Sequence, residues 1–181
     1  MSFVFLLKIL YLLLPGAIAN MTPVFVRKIK FLDYPLDFNL KFFGKRLFGK
    51  NKTFRGLIFG ILASILIVLL QSFLYKYKNF YDISFVGYNN INIFGFGFLI
   101  GFGVLFGDLA GSFVKGRFGF KPGEHFFVLD QINGGIGFGL FVVLPYFMSW
   151  NLFFWMILVW FIGHLIIKYL GYLFGIGKEK I

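Results

Sequence analysis

Residues 93–131 read IFGFGFLIGFGVLFGDLAGSFVKGRFGFKPGEHFFVLDQ. The first part, residues 93–114, carries a single charge, Asp108, and is long enough as a helix to cross about 30 Å of hydrocarbon. The second part is basic and ends in another carboxylate, Asp130. A carboxylate at the edge of a bilayer is costly to desolvate, so it marks a functional site. The stretch predicts a membrane-spanning helix with chemistry at its boundary.

Composition extends this prediction to the whole chain. Of 181 residues 59% are hydrophobic and 30 are Phe, well above the roughly 45–50% apolar content of soluble domains. An integral membrane protein without the alternating pattern of barrel strands satisfies its backbone polar groups as helices. The chain contains no Cys, which excludes disulfides, thiolate nucleophiles and sulfur-ligated metals. We expect an all-α integral membrane protein forming a single domain over residues 1–181.

Apolar runs predict a bundle of five transmembrane helices. The first run lacks the positive segment that opens a signal peptide, since Lys8 is its only charge. The last two runs are separated by turn and interfacial residues at 145–151, and together they would be twice as long as a membrane is thick. The predicted spans are residues 3–26, 57–74, 93–114, 132–147 and 152–174. Within the spans, glycines four apart, such as Gly97 with Gly101, predict close helix packing.

The basic residues predict the orientation. Residues 27–55 contain nine Lys and Arg against two Asp, a balance of 9 − 2 = +7. The positive-inside rule then places loops 27–56 and 115–131 and the C-terminus in the cytoplasm, with the N-terminus outside. These cations could also serve only to set topology and to contact anionic lipid headgroups.

The first basic loop enters the second predicted span through GKRLFGKNKTFRG, residues 44–56. Residues 44–51 come within one residue of a Walker A phosphate loop, but no strand precedes them and no parallel sheet can form. Cationic donors and backbone amides at a helix N-terminus still make a good anion site. Its predicted members are Lys52, Thr53, Arg55 and Gly56.

The second basic loop begins and ends near a carboxylate. Asp108 and Asp130 can converge on one divalent cation, while the cations between them bind phosphate oxygens. The alternative is that both carboxylates form structural ion pairs with those cations. The intervening candidates are Ser112, Lys115 and Arg117, whereas Glu124 and His125 are predicted to be solvated and His164, on the fifth span, to be packed.

These residues resemble the signature of the CTP-dependent cytidylyltransferases that make CDP-activated lipids. The matching elements are Gly107-Asp108, Gly111-Ser112, Lys115, Arg117 and Asp130-Gln131. The chain is most similar to the archaeal branch, the CDP-archaeol synthases, through Pro15 with Ala19-Asn20-Met21-Thr22-Pro23 and through Gly49 with Lys52-Thr53-Phe54-Arg55-Gly56. The chain departs from the pattern at Gly116, where relatives often carry a third basic residue, and at Asn133.

The resemblance implies transfer of CMP from CTP to 2,3-di-O-geranylgeranylglyceryl phosphate, giving CDP-archaeol and pyrophosphate with Mg²⁺ at the cytoplasmic face of the cell membrane. It implies an isoprenoid ether-lipid phosphate and membrane lipids as partners and no nucleic acid, and it leaves the oligomeric state open. Asp108 and Asp130 would hold the metal, Lys115 and Arg117 would stabilise phosphoryl charge with Lys52 and Arg55, and the neutral hydrogen-bonding residues would be Asn20, Thr53, Ser112 and Gln131.

A small lipid transporter or flippase without chemistry is the alternative function. Such a protein is expected to show inverted repeats and ionisable groups near the membrane midplane. In this chain the acidic residues of the second basic loop lie at one predicted boundary, which favours the enzyme.

Overall fold

The computed structural model describes residues 2–120 and 126–173. The regular secondary structure of the described residues is helical, as predicted, apart from one short hairpin and an isolated bridge between Pro35 and Thr53. The helices are α1 (Phe3–Phe25), α2 (Phe54–Leu74), α3 (Lys78–Asp82), α4 (Ile93–Arg117), α5 (Leu129–Phe138), α6 (Leu144–Phe147) and α7 (Trp150–Leu173). Short 3-10 turns lie at Val26–Lys28 and Tyr88–Asn90, and the antiparallel hairpin pairs β1 (Lys41–Phe42) with β2 (Lys45–Arg46).

Four of the described helices, α1, α2, α4 and α7, are long and apolar enough to cross a membrane. They correspond to the predicted spans at 3–26, 57–74, 93–114 and 152–174, with residue 174 outside the described residues. The predicted span at 132–147 lies in a continuous helical run formed by α5, a π-helical turn at Gly139–Val143, and α6. The five-span count therefore stays a prediction.

The two predicted loops are shorter than expected because helices extend into them. Helix α2 starts at Phe54, inside the predicted loop 27–56. Helix α4 continues to Arg117 and α5 starts at Leu129, so both enter the predicted loop 115–131. Glu124, His125 and the C-terminal tail lie outside the described residues.

Two prolines inside α1 determine how it packs against α2. Proline has no N–H, so Pro15 frees the carbonyl of Tyr11 and Pro23 frees that of Ala19. Gln71 of α2 donates from Nε2 to the Tyr11 oxygen at 2.6 Å. The second freed carbonyl packs against a glycine of α2, where a Cβ on Gly60 would lie 2.9 Å from the Ala19 oxygen.

Gln71 is buried, and both the nitrogen and the oxygen of its side-chain amide form hydrogen bonds. Its Oε1 accepts a 2.9 Å hydrogen bond from the hydroxyl of Tyr88, which precedes α4. Burial, with smaller contributions from Tyr11 and Tyr75, raises the pKa of Tyr88, so its hydroxyl keeps the proton that it donates. One side chain of α2 thus connects α1 to the segment that leads into α4.

Helix α4 packs directly against α2 through glycines. A Cβ on Gly97 would lie 2.7 Å from Ile65 Cα, and one on Gly101 would lie 2.9 Å from Ile61 Cα. The predicted packing role of this pair is confirmed. Because Gly97 and Gly101 have no side chains, the backbones of α2 and α4 lie in contact. This contact fixes the start of α2 relative to the end of α4.

We predict that Gln71→Leu lowers the free energy of unfolding by about 1–3 kcal/mol, because it leaves the Tyr11 carbonyl and the Tyr88 hydroxyl unpaired. Thermal unfolding in detergent is the measurement. Ser64→Ala is the matched control, since the Ser64 hydroxyl is buried on the same helix without a hydrogen-bond partner in the described residues. Equal losses in the two variants would contradict this assignment.

Candidate functional site

The ends of three helices, the hairpin and the segment before α2 line a cavity of about 570 Å³. This volume lies within the roughly 300–1,000 Å³ range of small-molecule sites. The charged and polar side chains in its wall come from the hairpin, the segment before α2, the C-terminal half of α4, the first turn of α5 and the C-terminal half of α7. They are Lys45, Arg46, Asn51, Lys52, Asp108, Ser112, Lys115, Asp130, Gln131, His164 and Lys168.

The two predicted carboxylates line this same cavity, and each is paired with a lysine. Asp108 of α4 forms an ion pair with Lys52, which precedes the start of α2. Asp130 lies in the first turn of α5, where the helix dipole favours a negative charge. One of its oxygens is 2.6 Å from Lys115 Nζ, and the other accepts a 3.0 Å hydrogen bond from the backbone N–H of Phe126.

The cavity wall carries a net positive charge. Five Lys and Arg side chains face two carboxylates, a formal balance of 5 − 2 = +3. Cations lining a concave, partly desolvated site raise the local concentration of anions. The arrangement therefore favours a polyanionic ligand.

Close contact between α4 and α5 brings the two carboxylates to one site. A Cβ on Gly107 would collide with the backbone oxygen of Asn133, and one on Gly137 would collide with the backbone oxygen of Gly103. Asn133 is buried, accepts a 2.6 Å hydrogen bond from the N–H of Gly134, and packs against Gly111. Asn133, one of the positions where the chain departs from the pattern that it resembles, thus lies in the contact between α4 and α5.

Three of the four predicted residues at the start of α2, Lys52, Thr53 and Gly56, line a second, smaller cavity. Thr53 caps the helix by accepting a 3.2 Å hydrogen bond from the N–H of Gly56. Both residues line a space of about 60 Å³ that shares Asn51, Lys52 and Asp108 with the larger cavity. Its other walls are apolar and come from Pro23, Leu36, Leu57, Leu105 and Leu109.

Three of the predicted site residues, Arg55, Arg117 and Asn20, line neither cavity. The buried Arg55 forms a 2.9 Å ion pair with Asp33 and donates to the carbonyl of Ile29. Both partners precede the hairpin, so the guanidinium is engaged in holding the base of the loop. Asn20 is half-buried on α1.

Arg117 binds the hairpin. It donates to the carbonyl of Phe42 and, at 3.1 Å, to that of Arg46, and its guanidinium lies 4.7 Å from the ring centroid of Phe113. Backbone oxygens and aromatic rings thus bind the guanidinium of Arg117, for which the sequence pattern predicts phosphate binding.

Sequence reasoning missed several residues of the cavity. The sequence pattern predicts a packed His164 and does not single out Lys168, and both line the wall. Their spacing of four places them on one face of α7, which was the available signal. For Lys45 and Arg46 the sequence predicts only a role in topology, because a loop gives no periodicity from which to orient a side chain.

A buried carboxylate organises the loop that carries the hairpin. The side chain of Asp37 is fully buried and forms a 2.6 Å ion pair with Arg46. Burial opposes ionisation, but the hydrogen bonds from Arg46 and from the N–H groups of Asn39, Phe48 and Gly49 outweigh it and lower the pKa of Asp37. The ionised carboxylate therefore fixes the loop beside the cavity.

Comparisons with known proteins agree on one family. The family model described as CarS-like, CDP-archaeol synthase, matches residues 2–180. The CDP-archaeol synthase of Archaeoglobus fulgidus is 38% identical over 128 residues, which cover 70% of this chain and 68% of that protein. The CDP-archaeol synthase of Thermofilum pendens is 40% identical over 141 residues, 73% of this chain and 61% of that longer protein.

A solved structure described as an intramembrane enzyme for archaeal membrane lipids biosynthesis has a similar fold. The TM-score is 0.68 at 28% sequence identity. The match covers 87% of this chain and 90% of that chain. The similarity therefore extends over most of both molecules.

We predict that Gly107→Ala destabilises the protein, because the added methyl group must separate α4 from α5 at a cost of about 1–3 kcal/mol. Gly163→Ala is the control, since a Cβ there meets nothing within 4 Å and alanine stabilises a helix by roughly 0.5–1 kcal/mol relative to glycine. Thermal unfolding of both variants in detergent should show opposite shifts. Identical shifts would contradict the close contact.

Proposed function

The chain belongs to the CDP-archaeol synthase family, and on that premise we propose that it transfers CMP from CTP to 2,3-di-O-geranylgeranylglyceryl phosphate. The products are CDP-archaeol and pyrophosphate. The observation that supports this reaction most strongly is the cationic cavity with two carboxylates in its wall. The comparisons give no support to the transporter alternative.

The cavity suits the charges of both substrates. CTP brings a triphosphate and the lipid brings a phosphate monoester, so their joint binding needs concentrated positive charge. The wall supplies five cationic side chains from four parts of the fold: β2, the segment before α2, α4 and α7. The adjoining smaller cavity has leucine walls next to Lys52 and Asp108, an environment that accepts the apolar beginning of a lipid beside its phosphate.

The reaction needs no catalytic base. A phosphate monoester has a second pKa of about 6, so its oxygen is largely ionised at neutral pH and can act as the nucleophile. That oxygen forms a bond to the α-phosphorus of CTP, the bond from this phosphorus to the bridging oxygen breaks, and pyrophosphate leaves with the electron pair. The protein contributes positioning and charge stabilisation.

Asp108 and Asp130 are the residues that would hold Mg²⁺. Among the residues described, no group of three His, Cys, Asp or Glu side chains is gathered. Two carboxylates nevertheless fit the ion, because proteins usually bind Mg²⁺ through one or two carboxylates together with substrate phosphates. When bound, Mg²⁺ neutralises triphosphate charge. Lys52 and Lys115, which pair with these carboxylates in the structure, then contact phosphate oxygens.

Gln131 is suited to the nucleoside part of CTP. Its side chain is buried in the cavity wall, and its Oε1 has no hydrogen-bond partner in the described part of the chain. A phosphate oxygen cannot satisfy this acceptor because it has no proton to donate, whereas the cytosine amine and the ribose hydroxyls can. We assign Gln131 to the nucleoside, and Ser112 and Thr53 to neutral contacts beside the phosphates.

The orientation proposed for the chain follows from where the cavity lies. The cavity is at the end of the bundle that carries the basic loops, with Lys45, Arg46 and Lys52 in its wall. Positive-inside logic then places it in the cytoplasm, where CTP is available. With the run from Leu129 to Phe147 as a fifth span, the single domain has its N-terminus outside and its C-terminus inside.

Pyrophosphate release by the purified protein tests the reaction. We expect release only when CTP, the lipid phosphate and Mg²⁺ are all present, with formation of the CDP-lipid in equal amount. Omitting the lipid phosphate controls for hydrolysis of CTP. A folded protein that forms no CDP-lipid under these conditions would exclude the proposed function.

We predict that Asp108→Asn and Asp130→Asn each lower turnover per folded molecule by about a hundredfold or more, because asparagine keeps size but removes the charge that binds the cation. The measurement is turnover across a Mg²⁺ titration, normalised to folded protein. If the carboxylates are only structural, activity will fall in proportion to lost folded protein. Wild-type turnover with an unchanged Mg²⁺ requirement would refute the metal assignment.

We predict that a Cys introduced at position 45 or 119 of this Cys-free chain resists labelling by impermeant maleimide from outside intact cells. The physical reason is that basic segments are retained in the cytoplasm. The same Cys should react after the membrane is opened, which controls for accessibility. Labelling from outside would reverse the proposed orientation.

A further inference from the structure

The carboxylate of Asp37 has its hydrogen-bonding capacity filled by the protein. Oδ1 accepts from Arg46 Nη2 at 2.6 Å and from the N–H of Asn39 at 3.1 Å. Oδ2 accepts from Arg46 Nε at 3.2 Å and from the N–H groups of Phe48 and Gly49 at 3.3 and 3.1 Å. A fully buried carboxylate with five donors is held in one orientation, so it orients whatever it binds.

Arg46 uses only one edge of its guanidinium in this pair. The Nε and Nη2 atoms form the fork to Asp37, and Nη1 makes no hydrogen bond to a protein group within residues 2–120 and 126–173. The side chain is 26% exposed and lines the large cavity. A guanidinium carries five donors in a rigid plane, so the remaining edge can bind a phosphate oxygen while the first stays fixed.

The backbone of Arg46 is held as firmly as its side chain. Its carbonyl accepts the 3.1 Å hydrogen bond from Arg117 at the end of α4. Lys115, two residues earlier on that helix, lines the same cavity. Arg117 therefore keeps the hairpin at a fixed position relative to α4, and with it Arg46 relative to Lys115.

We infer that Arg46 is a further phosphate-binding residue of the cavity and that Asp37 is its positioning residue. The inference rests on the proposed function, because the phosphate belongs either to CTP or to the lipid substrate. Asp37 touches neither substrate. It acts by fixing the plane of the guanidinium, so its contribution depends on Arg46 being present.

Arg46→Lys tests the phosphate contact because it keeps the charge and loses the fork. The measurements are kcat and KM for each substrate, together with the affinity for CTP in the absence of lipid. We expect one of the two KM values to rise about tenfold or more, the loss expected for a charge-assisted hydrogen bond. A higher KM for CTP with weaker CTP binding assigns the triphosphate. A higher KM for the lipid phosphate with unchanged CTP binding assigns the lipid.

The control is Arg27→Lys, an exposed position in the same loop that lines neither cavity. It should keep wild-type kinetics. Turnover by wild type and by this control establishes the reaction independently, so failure of the proposed function is distinguished from failure of the Arg46 assignment. Unchanged KM values and unchanged CTP affinity in Arg46→Lys would overturn the assignment.

Asp37→Asn tests positioning through a double-mutant cycle. Alone it should raise the same KM as Arg46→Lys, and in the Arg46→Lys background it should change that KM by less than about twofold, since the two side chains act as one unit. Full additivity would show that Asp37 acts independently of Arg46 and would overturn the positioning role. If Asp37→Asn does not fold, Asp37→Glu, which keeps the charge and displaces the fork, replaces it in the same cycle.

Discussion

The contact between the backbones of α4 and α5 is the constraint on which the site depends. Gly107 meets the carbonyl of Asn133 and Gly137 meets that of Gly103, at distances that no side chain would permit. Asp108 directly follows the first of these glycines, and Asp130 lies three residues before Asn133. The glycines therefore determine that two carboxylates from separate helices line one cavity. In a lipid bilayer, close packing of this kind replaces hydrophobic association as the interaction that holds helices together. Here the same packing also places the two carboxylates of the site.

The two interpretations of the carboxylates in the sequence, metal ligands or structural ion pairs, are compatible under the proposed function. Two like charges beside a bilayer are unfavourable unless each has a partner, and Lys52 and Lys115 supply those partners. The same lysines lie in the wall of a cavity with a balance of +3. In the proposed reaction, a triphosphate with its cation would replace these pairs by equivalent ones, so that the charges of the carboxylates and lysines stay compensated.

Sequence reasoning succeeded where one physical effect dominates. Apolar length predicted four of the helices to within a few residues, and glycine spacing predicted that Gly97 and Gly101 lie in a close helix contact, which the structure makes with α2. It could not orient side chains in the basic loop, where position depends on pairings between distant residues. Arg117 binds a hairpin about seventy residues earlier in the chain, and Arg46 is oriented by Asp37 rather than by any periodic pattern. Sequence charge shows that cations are present but does not distinguish those that hold the loop from those that face the cavity.

That distinction explains why so many cations surround one small site. Arg55 binds Asp33 and Arg117 binds the hairpin, so these two guanidinium groups are engaged in holding polar loop segments against the ends of apolar helices. Backbone polar groups near a membrane must be satisfied, and a guanidinium with five donors can satisfy several carbonyls at once. The lysines in the cavity wall are flexible point charges that can exchange a carboxylate for a phosphate. Arg46 combines the fixed orientation of these arginines with the cavity-lining position of the lysines. One edge of its guanidinium is fixed by Asp37, and its side chain lines the cavity.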